Sequence, residues 1–165
     1  MADQTTQLLT AIRAVQEQHE EFKAGFWQFA ITNLTSEIPA EIITKFKTLK
    51  MTHSEMEILS ELTNFDHNLI PYKVLQERVL FSQGMFSRYI NRLDKAELIT
   101  KIKQANNKKE VLLSITETGK YVAKLHADMH RLEREHNENA LTSFSPAEIQ
   151  TTIKVLHSLT NNPMH

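Results

Sequence analysis

The sequence predicts a mostly α fold with a small β-wing: a winged helix-turn-helix carried between N- and C-terminal helices. Two observations support this. A proline-opened helical segment, PYKVLQERVL from Pro71, gives way after a short break to a second, SQGMFSRYINRL from Ser82. Two runs rich in β-branched and aliphatic residues, Ile99 to Lys103 and Val111 to Ile115, then flank a polar tip in which Asn106 and Asn107 supply turn chemistry. The expected organisation is 1–50 for N-terminal helices, 51–116 for the winged unit and 117–165 for C-terminal helices.

Residues 5–34 read as one long helix. Leu8, Ile12, Val15, His19, Phe22, Phe26 and Phe29 alternate steps of four and three, a heptad-like seam broken once by His19. Pro39 opens a shorter helix with Ile42, Phe46 and Leu49 on its buried side. Thr52 and Glu55 frame the next, with Met56, Leu59 and Leu62 inward. After the winged unit a helix from Thr116 carries Val122, Leu125, Met129, Leu132 and His136 as a stripe. The last helix starts at Ser145-Pro146-Ala147-Glu148, an N-cap, a proline at the first position and a glutamate closing the box. Three terminal helices with one apolar stripe each have too little partner surface in a small winged unit, so packing against a second copy is expected.

In the second helix of the pair, a rotation of about 100° per residue separates two arcs. Met85, Phe86, Tyr89, Ile90 and Leu93 form a core face. Gln83, Gly84, Ser87, Arg88, Asn91, Arg92 and Lys95 form the other, with three cations, no acid and several short hydrogen-bonding groups. Arg can pair bidentately with guanine, and Asn or Gln with adenine. Ser82 can cap the helix, and Gly84 lets its N-terminus approach a phosphate closely. Between Pro71 and Lys109 there are nine Lys or Arg and three Asp or Glu, a net +6, so the rest of a chain of formal charge −1 carries −7. One face is thus set apart for phosphates. Ser82, Gln83, Gly84, Ser87, Arg88, Asn91 and Arg92 are the expected contacts in a DNA major groove. Lys108 and Lys109, at the hairpin tip, are the expected backbone or minor-groove contacts.

These residues resemble the MarR family of bacterial transcription regulators. SQGMFSRYINRLDKAELI looks like that family's recognition helix and apolar exit, and QANNKKEVLLSITETGK like its wing and the Thr-x-x-Gly start of the next helix, here Thr116 to Gly119. The similarity is strongest over about residues 52–125. It implies a homodimer on a pseudo-palindromic operator in double-stranded DNA, with half-sites about 10 base pairs apart or a multiple of that. It also implies repression relieved by a small molecule held between the dimer and DNA-binding parts. Three positions depart from the pattern. Asn107-Lys108 stands where an Asp-Arg pair is usual, and Leu80 and Glu97 stand where glycines with positive φ are common.

Phe26, Trp27 and Tyr72 are candidates to line a site for an apolar or phenolic effector, although aromatic residues at helical spacing are core more often than pocket. His126 and His130, four apart, with Glu133 on the same face, have workable spacing for zinc, which is a property of some MarR-like proteins. A solvated polar face accounts for them more simply, so no cofactor is required and no metal site is expected. A winged-helix module that binds protein and never touches DNA is a further alternative.

The absence of cysteine excludes thiol redox control and Cys-based zinc sites. With 3 glycines and no Ser-His-Asp, Cys-His or paired-carboxylate arrangement, no catalysis is expected. No apolar run approaches the roughly 18 residues of a membrane span, and MADQTTQLL lacks the layout of a secretion signal. A cytoplasmic protein without a membrane partner is the expectation.

Overall fold

A computed structural model describes residues 2–103 and 110–161. Lys108 and Lys109, and with them the wing tip, lie outside the described residues. The elements run α1 (Ala2–Asn33), α2 (Ala40–Thr48), α3 (His53–Thr63), β1 (Ile70–Pro71), α4 (Tyr72–Arg78), α5 (Gln83–Lys95), β2 (Ile99–Lys103), β3 (Val111–Ile115), α6 (Glu117–Leu141) and α7 (Pro146–Thr160). The chain divides into two compact units, 1–129 and 130–165, with α6 continuing from the first into the second.

The first unit is the winged helix-turn-helix with α1 and α2. Its core draws Phe26 from α1, Phe46 from α2, Met56 from α3, Leu75 from α4 and Phe86 from α5, each fully buried. The expected α1 seam is only partly buried. Phe26 is enclosed, but Val15 is 66% and Phe29 47% exposed, and His19 is exposed too. The buried face of α1 instead runs through Phe26, Trp27, Ala30 and Ile31, leaving Phe29 on the opposite side.

Both wing strands span the expected residues, and they pair antiparallel with Ile99 opposite Ile115 and Lys103 opposite Val111. A third strand was not foreseen. Ile70 and Pro71 pair with Leu113 and Leu112, giving the sheet order β1-β3-β2. Proline, with no N–H to donate, is tolerated there because β1 is an edge strand.

The corner after α5 explains the Thr-x-x-Gly motif. Glu97, at φ 58°, is the one non-glycine residue with positive φ among the described residues, whereas Leu80 has negative φ. That backbone turn lets Leu98 N–H return to the Leu93 carbonyl at 3.0 Å. Thr116 then ties the corner to α6. Its hydroxyl donates toward the Glu97 and Leu98 carbonyls at 2.8 and 3.0 Å and accepts from Gly119 N–H at 3.0 Å. A Cβ at Gly119 would collide with the Leu98 carbonyl oxygen.

In α6 the stripe residues Val122, Leu125 and Met129 are buried, Leu132 is half-buried and His136 is exposed. In the second unit, Ser145 caps α7 and Glu148 closes the box as expected. None of the described residues of α7 is buried, and Ile153, Leu156 and Leu159 are all exposed.

Candidate nucleic-acid interface and metal centre

Helix α5 starts at a working cap, with Ser82 Oγ accepting from Met85 N–H at 3.3 Å. Phe86, Ile90 and Leu93 anchor its inner face. Met85 departs from the expected arc and is 37% exposed, because in the first turn it projects beyond the core. Leu80, in the turn before the cap, is fully exposed.

The outer face is as open as its composition implied. Gln83, Gly84, Arg88, Asn91 and Lys95 are exposed and Ser87 is half-buried. A Cβ at Gly84 would meet nothing within 4 Å, so the space above the first turn is free for a ligand's approach. Arg88 has no hydrogen-bond or ion-pair partner among the described residues and stands outward. Asn91 and Arg92 have partners within the chain. Asn91 Oδ1 accepts from Lys101 Nζ at 2.9 Å, and Lys101 also meets Asp94 at 3.2 Å, so the β2 lysine is fastened to α5. Arg92 turns back toward α3. Its Nε lies 3.0 Å from Glu55 Oε1, and Nη2 donates to the Lys50 carbonyl at 3.2 Å.

Glu55, 1% exposed, is a buried carboxylate whose oxygens are all engaged. While Oε1 meets Arg92, Oε2 accepts from Thr52 N–H and Thr52 Oγ1, each at 2.9 Å, and Glu55 N–H donates to Thr52 Oγ1. This reciprocal cap fixes the first turn of α3, where His53 is the first helical residue.

The histidines form a second constellation. His126 is not on a solvated face: it is 6% exposed. Its Nδ1 lies 2.8 Å from Ser60 Oγ, and its Nε2 lies 3.1 Å from Nε2 of His53. The two rings sit 4.8 Å apart, and Phe26 packs against both, at 5.7 Å from His126 and 6.0 Å from His53. His130 follows one turn along the same face of α6, and the three histidines make up a group able to hold a metal ion. Glu133 instead pairs with His130, at 3.3 Å. Sequence reasoning missed His53 because it is 73 residues from His126.

The donor set fits zinc. Tetrahedral Zn–N bonds of about 2.0–2.1 Å set ligand nitrogens roughly 3.4 Å apart. The two Nε2 atoms already stand near that spacing and Ser60 occupies the remaining nitrogen of His126, which is how metal-binding imidazoles are usually oriented. The aromatic candidates are engaged elsewhere. Phe26 packs on Phe22 and the two histidines, Trp27 donates to the Leu49 carbonyl at 2.9 Å while packing on Phe46, and Tyr72 packs on Phe86.

Capped α5, the antiparallel pair β2–β3 and the flanking helices define a winged helix-turn-helix. No family model matches the chain. Among solved structures, Lactococcus lactis ZitR, described as a zinc-responsive MarR family member, has TM-score 0.60 and 24% identity, covering 89% of this chain and 97% of that one. A MarR family transcription regulator has TM-score 0.61 and 17% identity over 98% and 93% of the two chains. A mutant MarR from E. coli complexed with operator DNA has TM-score 0.55 and 13% identity over 93% and 95%. By sequence, 77 residues are 30% identical to YvnA of Bacillus subtilis (strain 168), an uncharacterized HTH-type transcriptional regulator. The match covers 47% of this chain, and the chain spans about half the length of that relative. The chain shares the fold of these MarR family structures. Among the described residues, no helix is long and apolar enough to cross a membrane.

Proposed function

We propose that the protein is a homodimeric, sequence-specific DNA-binding transcription regulator whose affinity for its operator is set by zinc. The observation that carries DNA reading is the outer face of α5, free of acids, open above Gly84 and led by the outward Arg88. Gln83, Ser87 and Arg88 meet base edges or phosphates. Asn91 does so if it gives up Lys101, and Ser82 and Gly84 bring the helix start to the backbone. Lys108 and Lys109 complete the footprint from the wing. The exposed apolar positions of α7 support dimer formation.

The close pairing of half-buried His53 with buried His126 favours metal control over an apolar or phenolic effector lined by Phe26, Trp27 and Tyr72, since those rings have packing partners already. His53, His126 and His130 would hold the ion through neutral imidazole nitrogens. Glu20, on α1, is exposed and pairs with Lys23 at 2.9 Å. The Lys23 hydrogen bond and charge hold its carboxyl below the ordinary carboxylate range, and it also feels the charges of His19 and His53. Bound zinc would fix the spacing of α3 and α6 at their histidines.

The test is DNA binding by the full chain to genomic fragments, with zinc chloride or with a chelator. Arg88→Ala is expected to lower specific binding by about 1–3 kcal/mol. His126→Ala is expected to abolish the zinc effect and leave binding to DNA in chelator unchanged. Failure of the wild type to bind any fragment would favour a protein-interaction module. DNA binding indifferent to zinc would remove the metal from the account.

A further inference from the structure

We propose that Glu55 is the positioning residue that couples the histidine site to the recognition helix. This coupling rests on the metal reading above and assigns the route from site to DNA. Residues 50–55 bring two functions onto six consecutive residues. His53 faces His126. Glu55, two positions on, is rotated by roughly 200° about the helix axis and faces α5. The Thr52–Glu55 cap makes this turn one rigid piece.

Arg92 fastens to it on both sides of His53, at the Lys50 carbonyl and at the Glu55 carboxylate. Glu55 is enclosed and Arg92 is half-exposed. A buried carboxylate without its cation is far costlier than a displaced surface guanidinium, so Arg92, and the last turn of α5 with it, follows Glu55. Zinc that fixes His53 therefore fixes where α5 presents its outer face, which gives the two binding events a shared free energy. Arg92 is in this account a mooring, and its direct contact with DNA is secondary.

Two variants separate this role from stability. Glu55→Gln retains an acceptor for the Thr52 N–H, since glutamine serves at this cap position, but loses the charge that holds Arg92. Arg92→Lys retains a cation for phosphate, but a single ammonium does not span both anchor points as the guanidinium fork does. Zinc affinity is measured by competition with a chromophoric chelator, and affinity for one operator fragment is measured with zinc and with chelator. Wild-type DNA affinity is expected to change about tenfold between those conditions, inside the usual range for coupled sites. In both variants the ratio falls below about twofold while zinc affinity stays within about threefold, as expected when only the coupling is lost. The Arg92 Nε–H resonance moves on zinc addition in the wild type and stays still in Glu55→Gln. An undiminished ratio in both variants, with zinc still bound, overturns the coupling alone. A wild type that binds no zinc overturns the metal reading and the coupling together. If Glu55→Gln does not fold, Arg92→Lys decides the question.

Discussion

Gly119 marks where two parts of the first unit touch at backbone distance. The start of α6 rests on the Leu98 carbonyl, and Thr116 holds it there through hydrogen bonds in both directions. Gly119→Ala is expected to cost about 3 kcal/mol, at the upper end of overpacking, because the obstructing atom is backbone and has no rotamer to yield. Chemical denaturation would show it as a lowered midpoint with unchanged slope, and an unaltered midpoint would mean that the corner relaxes freely. Single residues also mark the limits of the sequence as a guide. At Glu97 and Leu80, where glycine is usual, the cost of a Cβ at positive φ made turns of altered shape the expectation; Glu97 nonetheless adopts φ 58°, and Leu80 has no positive φ. His53 carried no local signal, since a lone histidine after an N-cap is unremarkable until folding places α6 beside it.

Helices and strands were more legible than their surroundings. The wing strands and the caps at Thr52, Ser82 and Ser145 depend on residues within a few positions of one another, so local chemistry identifies them. Burial of α1 within one copy depends on partners elsewhere in the chain, and the enclosed face runs through Phe26, Trp27 and Ala30, while the seam residues Val15 and Phe29, read as a surface for a second copy, stay exposed. Strand β1 escaped notice because two residues, one a proline, make no pattern. The α7 cap yields a prediction at this scale. Hydrogen bonds from the Ser145 side chain and then its backbone hold the Glu148 carboxyl below its usual value of 4.5. A depressed folded-state value means that this contribution is present above the unfolded pKa and is lost as pH falls through the folded one. Helicity of the wild type is therefore expected to decline below about pH 4.5 more than that of Glu148→Gln, whose cap does not titrate. Matching acid profiles by circular dichroism would count against the box.

For the whole molecule, the apolar positions of α7 bear on assembly. Ile153, Leu156 and Leu159 are exposed in one copy of the chain, and a second copy is the proposed cover. Replacing Ile153 and Leu156 together by Glu is expected to yield a monomer in sedimentation at micromolar concentration. It should also abolish preference for paired half-sites about 10 base pairs apart, while weak binding to single half-sites persists. A wild-type protein that sediments as a monomer would defeat the two-fold account, whatever α5 does alone.

The corner at Glu97 and Thr116 has a consequence for how the reading head is steered. Its far end is pinned to the start of α6, one turn earlier Arg92 pins it to α3, and Phe86 seats the first turn in the core beside Tyr72. A rod held at three stations has little play of its own. Whatever reorients α3 or the start of α6 would carry the whole of α5 along, Gln83 and Gly84 included.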